Sequence, residues 1–431
     1  MDELIKNIDI EIEKYKPQVL DLLKKLISFK STAENTKGIS LYCADILEKI
    51  GLEVELVNLA DMETHFKSNK YRDLNKTGIN YKDKFNVVAK YKSRKRNKNG
   101  KSIIFNGHLD VVPPGPLELW DSNPWKACIK DNKVFGRGSI DMKGGISCAI
   151  VALTILKDMD IELFGDVTIE LVIDEELGGN STLYNIINGV NADAAIFCEP
   201  SGLKNIIVGS RGGISFHIKF YNKVSANVDN RGDNWKIFNS LQIIIDAIKD
   251  FAELRKKKVK KGVFSEFDNP VPIYIGRINC GCWLSSIPNK IEIEGIIGIL
   301  TNDDLNELKK SFNKFLIDYL NNRSDLSEEN RFILDFDKLL VEPFLQESNL
   351  EIALLAKKII FNTTHYNPNI TVSNYGSDQR LRTIYGKEDT IMLGPSGDNA
   401  HCANEYVLID SLYDCLKVYT NFILEWCNYK N

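Results

Sequence analysis

The 431-residue chain has no apolar run approaching the roughly 18 residues needed to span a bilayer. Met1 to Lys16 alternates acidic and apolar residues where a secretory leader would carry an apolar core. Neither a membrane protein nor an exported one is expected. Positive charge is not in excess either. The 55 Lys and Arg stand against 59 Asp and Glu, for a net charge of −4 and a pI near 5.9, so nothing points to nucleic acid as a partner. A paired set of cysteines is also missing: the nine are odd in number and scattered from Cys43 to Cys427. That pattern reads as reduced thiols in the cytoplasm. Cys280-Gly-Cys282 is too solitary a pair to hold zinc. The glycine-rich stretch from Gly136 to Gly145 is not closed by Gly-Lys-Ser/Thr, which excludes a phosphate loop of the Walker type.

What is present suits a large core, since 43% of residues are hydrophobic and 10% aromatic, and the length predicts two or three domains. Apolar residues recur at three and four from Ile8 to Phe29 and again from Ile39 to Ile50, where Gly51 takes the cap position; the alternation of Glu53 to Val57 follows as a strand. Residues 59–84 are polar and irregular and read as a surface insertion. Phe85 to Tyr91 and Ser102 to Phe105 read as neighbouring strands, with the six basic residues of Lys92 to Lys101 as a solvated hairpin tip around Asn99-Gly100.

The chemistry gathers where apolar runs end. Ser102 to Phe105 opens into Gly107, His108 and Asp110. Val167 to Ile173 ends in Asp174, Glu175 and Glu176; Ala194 to Cys198 ends in Glu199; Thr390 to Leu393 leads to His401. Residues just beyond the carboxyl ends of buried parallel strands face the crevice where open α/β sheets bind ligands. In extended chain, positions two apart point the same way, so Asp110 is expected to accept the ring N–H of His108. Alone, this triplet is an ordinary loop histidine. Four such runs imply one rim, and carboxylates crowded on a rim repel unless divalent cations are bound between them.

The segments FNGHLDVVPPG, GRGSIDMKGG, DEELGG, CEPS and GPSGDNAHCANEYV follow one another in this order. In order and approximate spacing the chain resembles the dinuclear-zinc amidohydrolases, the family of acetylornithine deacetylase, succinyl-diaminopimelate desuccinylase, aminoacylase and the glutamate carboxypeptidases. The resemblance runs from about residue 10 to the end. It implies an α/β catalytic domain of zinc-peptidase type with a mostly parallel central sheet, built from residues 1–209 and 341–431. An inserted ferredoxin-like α+β lid would occupy 210–340, where strand, helix, strand, strand, helix, strand can be read from Gly213 to Phe336. It further implies two divalent cations, one held by His108, Asp141 and Glu199 and the other by Asp141, Glu176 and His401. Zinc is the expected metal, and cobalt or manganese would also suit these ligands. Glu175 would be the general base that takes a proton from a metal-bridging water, and Arg380 would pair with a substrate carboxylate. The expected substrate is a small amide, and a homodimer through the lid is implied.

Two positions depart from the family. Asn227 stands where the lid's histidine would reach the scissile carbonyl, and Gly298 where an arginine is usual. An asparagine amide can still donate to an oxyanion, so Asn227 is kept as a catalytic and substrate-binding candidate, without positive charge. Two functional readings follow: hydrolysis of an N-acyl or N-formyl amide, or a metal-binding relative with altered chemistry such as acyl transfer, condensation or ligand binding. Retention of Glu175 beside the full ligand set favours the first.

Overall fold

The computed structural model describes residues 2–66, 74–95, 100–221, 235–281, 283–284, 286–323, 331–336 and 338–430. They form two compact units. The first comprises Met1–Gly209, Leu345–Val372 and Ser377–Asn431, and the second Ser210–Phe344 with Ser373–Gly376. The second unit therefore runs four residues further than the division at 340 and takes in a short later segment.

The first unit is built on a nine-stranded mixed sheet. Its first seven strands in spatial order are Glu53–Asn58, Phe85–Tyr91, Val167–Val172, Ile103–His108, Ala194–Phe197, Asp389–Met392 and Asn205–Ser210. The third to sixth of these run parallel to one another, so their carboxyl ends share one rim. Phe85–Tyr91 is not a neighbour of Ile103–His108, as the sequence suggested. It pairs antiparallel with Val167–Val172, which lies between them. Ile103–His108 is buried throughout, and such a strand needs a partner on both sides. Gly100 serves this crossover: a Cβ there would sit 2.3 Å from the Phe164 carbonyl carbon. Asn99, and with it the expected hairpin turn, lies outside the described residues.

Helix Gly144–Asp158 is buried along almost its whole length, packed between helices Asp2–Ile27 and Ile409–Cys427. The window Ser139–Asp158 has a mean hydropathy of 1.5 and is 94% buried. By length and composition it could cross a membrane, which the reading of short apolar runs did not anticipate. Burial from all sides explains it, because a helix enclosed by protein needs no polar face.

The second unit has the ferredoxin-like arrangement expected of it. Strands Ile273–Cys280, Lys290–Ile299, Gly212–Tyr221 and Arg331–Asp335 lie in that order, each antiparallel to the next. Alternate residues Ile214, Phe216, Ile218 and Phe220 point into a core shared with helices Lys236–Lys258 and Leu305–Arg323. Gly298 fills no arginine's role. A Cβ on it would meet Pro272 at 2.8 Å, and its N–H donates to the Pro272 carbonyl at 2.7 Å.

One buried charge network crosses the first unit's sheet. Arg382 donates through Nε and a terminal nitrogen to Glu170 at 3.0 and 2.6 Å, and through the other terminal nitrogen to Glu388 at 2.8 Å. Glu170 also accepts from Asn106 at 2.6 Å and Asn185 at 2.9 Å. Replacing the arginine leaves two carboxylates buried without their cation. Arg382→Met is expected to lower stability by about 3–5 kcal/mol, read as the shift in a urea unfolding transition.

Candidate metal centre

His108 ends its strand with its ring fully buried. Nδ1 donates to the Asp110 carbonyl oxygen at 2.9 Å, while the Asp110 carboxylate stands 3.7 Å away. The expected partner was that carboxylate; the main chain takes its place, and the tautomer is fixed all the same. The Asp110 side chain instead accepts the Glu176 N–H at 3.2 Å, tying the end of the His108 strand to the acidic turn. Nε2 of His108 thereby presents its lone pair to Asp141 Oδ1 at 2.9 Å and to Glu199 Oε1 at 3.7 Å.

Asp141 reaches this point because helix Gly144–Asp158 presses on the strand that leads to Glu199. A Cβ on Gly145 would lie 2.0 Å from the Cys198 carbonyl oxygen, so only glycine allows the approach. The second Asp141 oxygen, Oδ2, faces His401 Nε2 at 3.0 Å, and the same nitrogen is 2.9 Å from Glu176 Oε2. His401 stands in a loop with left-handed backbone at Asn399, His401 and Asn404, and its side chain is half exposed. Donor atoms of His108, Asp141 and Glu176 all lie within 4.8 Å of one another, as do those of His108, Glu175 and Glu199.

The electrostatics show what this cluster needs. Burial raises Glu199 to about 8 and Asp110 to about 7, and drives Glu175 well above the carboxylate range. Asp141 is pulled up by burial but held low overall by the two imidazole rings that face its oxygens. Hydrogen bonds to Asp141 and Glu176 raise His401 to about 11. These acids cannot all ionise together in a buried site without positive charge between them. An imidazole lone pair facing carboxylate oxygens at hydrogen-bond distance asks for the same thing. The donor set fits divalent cations, with His108, Asp141 and Glu176 in one cluster and His108, Glu175 and Glu199 in another.

Sequence reading passed over Glu405. Buried beneath the site, it accepts from Arg137 at 2.6 Å, from the Gly138 N–H at 2.9 Å, and from the Ile140 and Asp141 N–H groups at 3.1 and 3.2 Å. One carboxylate thus holds the turn that presents Asp141. The available signal was an acid four residues after His401 that no surface role explained.

Arg380 requires correction. It is 1% exposed and donates to the Ser377 carbonyl at 2.8 Å, to Asp378 at 3.3 Å and to the Gly178 carbonyl at 2.8 Å. Its fork is spent on internal acceptors, so it is not placed to clasp a substrate carboxylate. Asn227 lies outside the described residues. His217, in the second unit, sits on the polar face of its strand, 3.5 and 3.7 Å from Glu292 and Glu294.

Residues 104–425 match the profile of peptidase family M20/M25/M40. The chain belongs to that family. Relatives of this M20 protein include the N-formyl-4-amino-5-aminomethyl-2-methylpyrimidine deformylase of Bacillus subtilis (strain 168), 27% identical over 463 residues that cover 100% of this chain and 99% of the relative. The succinyl-diaminopimelate desuccinylase of Buchnera aphidicola subsp. Cinara cedri is 27% identical over 423 residues, or 94% of this chain and 98% of its own. Among solved structures, the di-peptidase Dug1p from Saccharomyces cerevisiae shares the M20 fold with a TM-score of 0.77 across 100% of both chains, at 15% identity. The protein is a metal-dependent hydrolase of amide bonds.

Removing the Glu405 carboxylate leaves the Arg137 guanidinium buried and frees three N–H groups around Asp141. Glu405→Ala is expected to lose about 3–5 kcal/mol of stability and to bind divalent cations roughly 10- to 100-fold more weakly, measured by denaturant titration and by calorimetric metal titration.

Proposed function

We propose that the protein removes an acyl or formyl group from the nitrogen of a small amino-acid-like amide, with Glu175 as general base. The observation that carries this reading is the sharing of Asp141 between two imidazoles, with the Glu175 carboxylate alongside His108 and Glu199. Support for an N-acyl or N-formyl substrate comes from the two relatives named for deformylation and desuccinylation.

The residues proposed to hold two cations are His108, Asp141 and Glu199, and Asp141, Glu176 and His401. Zinc is the proposed metal, with cobalt and manganese as the other fits to oxygen-rich sites bearing one imidazole each. Bound there, the cations would polarise the amide carbonyl and acidify water. Glu175 then takes the proton of the attacking water and returns it to the departing amine nitrogen as the C–N bond breaks. The products are a carboxylic acid and a free amine. Adjacent to Glu176 but turned to a different set of neighbours, Glu175 can act on protons while Glu176 serves as ligand.

A cytoplasmic setting is supported by the eight described cysteines, all free thiols. For a homodimer through the second unit, the support is strand Ile273–Cys280, at the edge of its sheet with Tyr274 and Ile278 exposed.

The test is turnover of formyl, acetyl and succinyl amides and dipeptides by the zinc-loaded protein, beside Glu175→Gln. Glu175→Gln is expected to lower kcat about 100- to 10,000-fold with two equivalents of metal retained. A panel that gives no turnover, while amide ligands still bind both proteins equally, would favour the altered-chemistry reading raised by Asn227.

A further inference from the structure

The irregular segment 74–81, read from sequence as part of a surface insertion, buries two polar side chains against the turn that carries Glu175 and Glu176. Tyr81 donates its hydroxyl proton to Asp174 Oδ2 at 2.5 Å. Its oxygen accepts from Asn180 Nδ2 at 3.2 Å and pairs with the Thr77 hydroxyl at 3.2 Å. Asn75 donates through its amide to the Gly178 carbonyl at 2.9 Å. Asn75 and Asn180 also bind reciprocally: the Asn75 N–H reaches Asn180 Oδ1 at 3.0 Å, and Asn180 Nδ2 reaches the Asn75 carbonyl at 2.9 Å. Tyr81, Asn75, Asn180 and Asp174 are all buried.

These bonds fall on the two ends of a three-residue turn. Asp174 precedes Glu175–Leu177 and adopts a left-handed backbone with φ 67°, a conformation few side chains other than glycine tolerate cheaply. Its carboxylate is held on both sides, by Tyr81 and by the Ser181 N–H at 3.1 Å. Its carbonyl accepts from Leu177 and Gly179 at 3.1 and 2.9 Å. At the other end, the Gly178 carbonyl receives Asn75 and Arg380 together. The corner before Glu175 and the corner after Leu177 are each pinned by a side chain from 75–81, and none of these bonds touches His108, Asp141 or Glu199.

We propose that segment 75–81 is a strut, with Tyr81 and Asn75 as positioning residues that hold the Glu175–Glu176 turn in ligand and base geometry. The proposal rests on the reading of Glu176 as a metal ligand and Glu175 as the base. It gives the strut an asymmetric effect: its loss weakens the cation held by Glu176 and His401 and leaves the one held by His108 and Glu199.

The experiment titrates Co²⁺ against a competing chelator into metal-free wild type, Tyr81→Phe and Asn75→Ala, with thermal unfolding of each metal-free protein alongside. Tyr81→Phe keeps the ring and removes one hydroxyl; Asn75→Ala keeps the main-chain pairing with Asn180 and serves if the first variant unfolds. Wild type is expected to take two equivalents. In the variants one equivalent weakens by roughly 10- to 100-fold, the range for groups that orient ligands, and the other stays within about twofold. On an amide that wild type turns over, kcat falls while KM holds. Both equivalents binding as in wild type overturns the strut, and so does a parallel loss of both with a lowered unfolding temperature. Fewer than two equivalents in wild type itself overturns the site reading beneath it.

Discussion

The structure depends on the sharing of one aspartate between two imidazoles. Asp141 offers Oδ1 to His108 and Oδ2 to His401, and three further acids crowd the same buried space. In such a place like charges repel strongly because little water screens them. Protons on some of the acids, or positive charge among their oxygens, relieve that repulsion. The fold then has one main task at this end, which is to bring acids together against their repulsion and keep them there.

It does so with unlike devices at each residue of the cluster. His108 is set by the end of a buried strand and a carbonyl that fixes its tautomer. Asp141 is set by the anion of Glu405 beneath its own turn, so that one carboxylate organises the backbone that presents another. Glu176 follows a left-handed corner at Asp174, and His401 sits on a left-handed residue of its own. A buried strand ends at His108, and irregular backbone carries the other residues of the cluster, where it is tied by buried side chains.

What could be read from the sequence is what repeats locally. Apolar runs ending in acids or histidine revealed the four parallel strands, because burial on both faces writes itself as an unbroken apolar stretch. The alternation of elements from Gly213 to Phe336 revealed the second unit. Strand neighbours were not legible: Phe85–Tyr91 pairs with a strand some eighty residues on, and no local pattern encodes that. The partners of Arg380 were not legible either, since a buried fork and a ligand-binding fork carry the same residue. Tyr81 and Glu405 were hidden for a related reason. Their bonds span 93 and 268 positions, and nothing local marks Tyr81 within its irregular stretch or Glu405 within its motif as a partner for distant backbone.

The place of strand Asp389–Met392 has a consequence for how the chain is made. It lies between Ala194–Phe197 and Asn205–Ser210, both of which leave the ribosome long before it. Until nearly the last tenth of the chain has emerged, two apolar strands stand with a gap between them and open hydrogen-bonding edges. The second unit, continuous apart from four residues, can meanwhile finish folding. Synthesis would therefore end with the insertion of a central wedge, a slow non-local step, and a prematurely released chain would expose sticky strand edges to its neighbours.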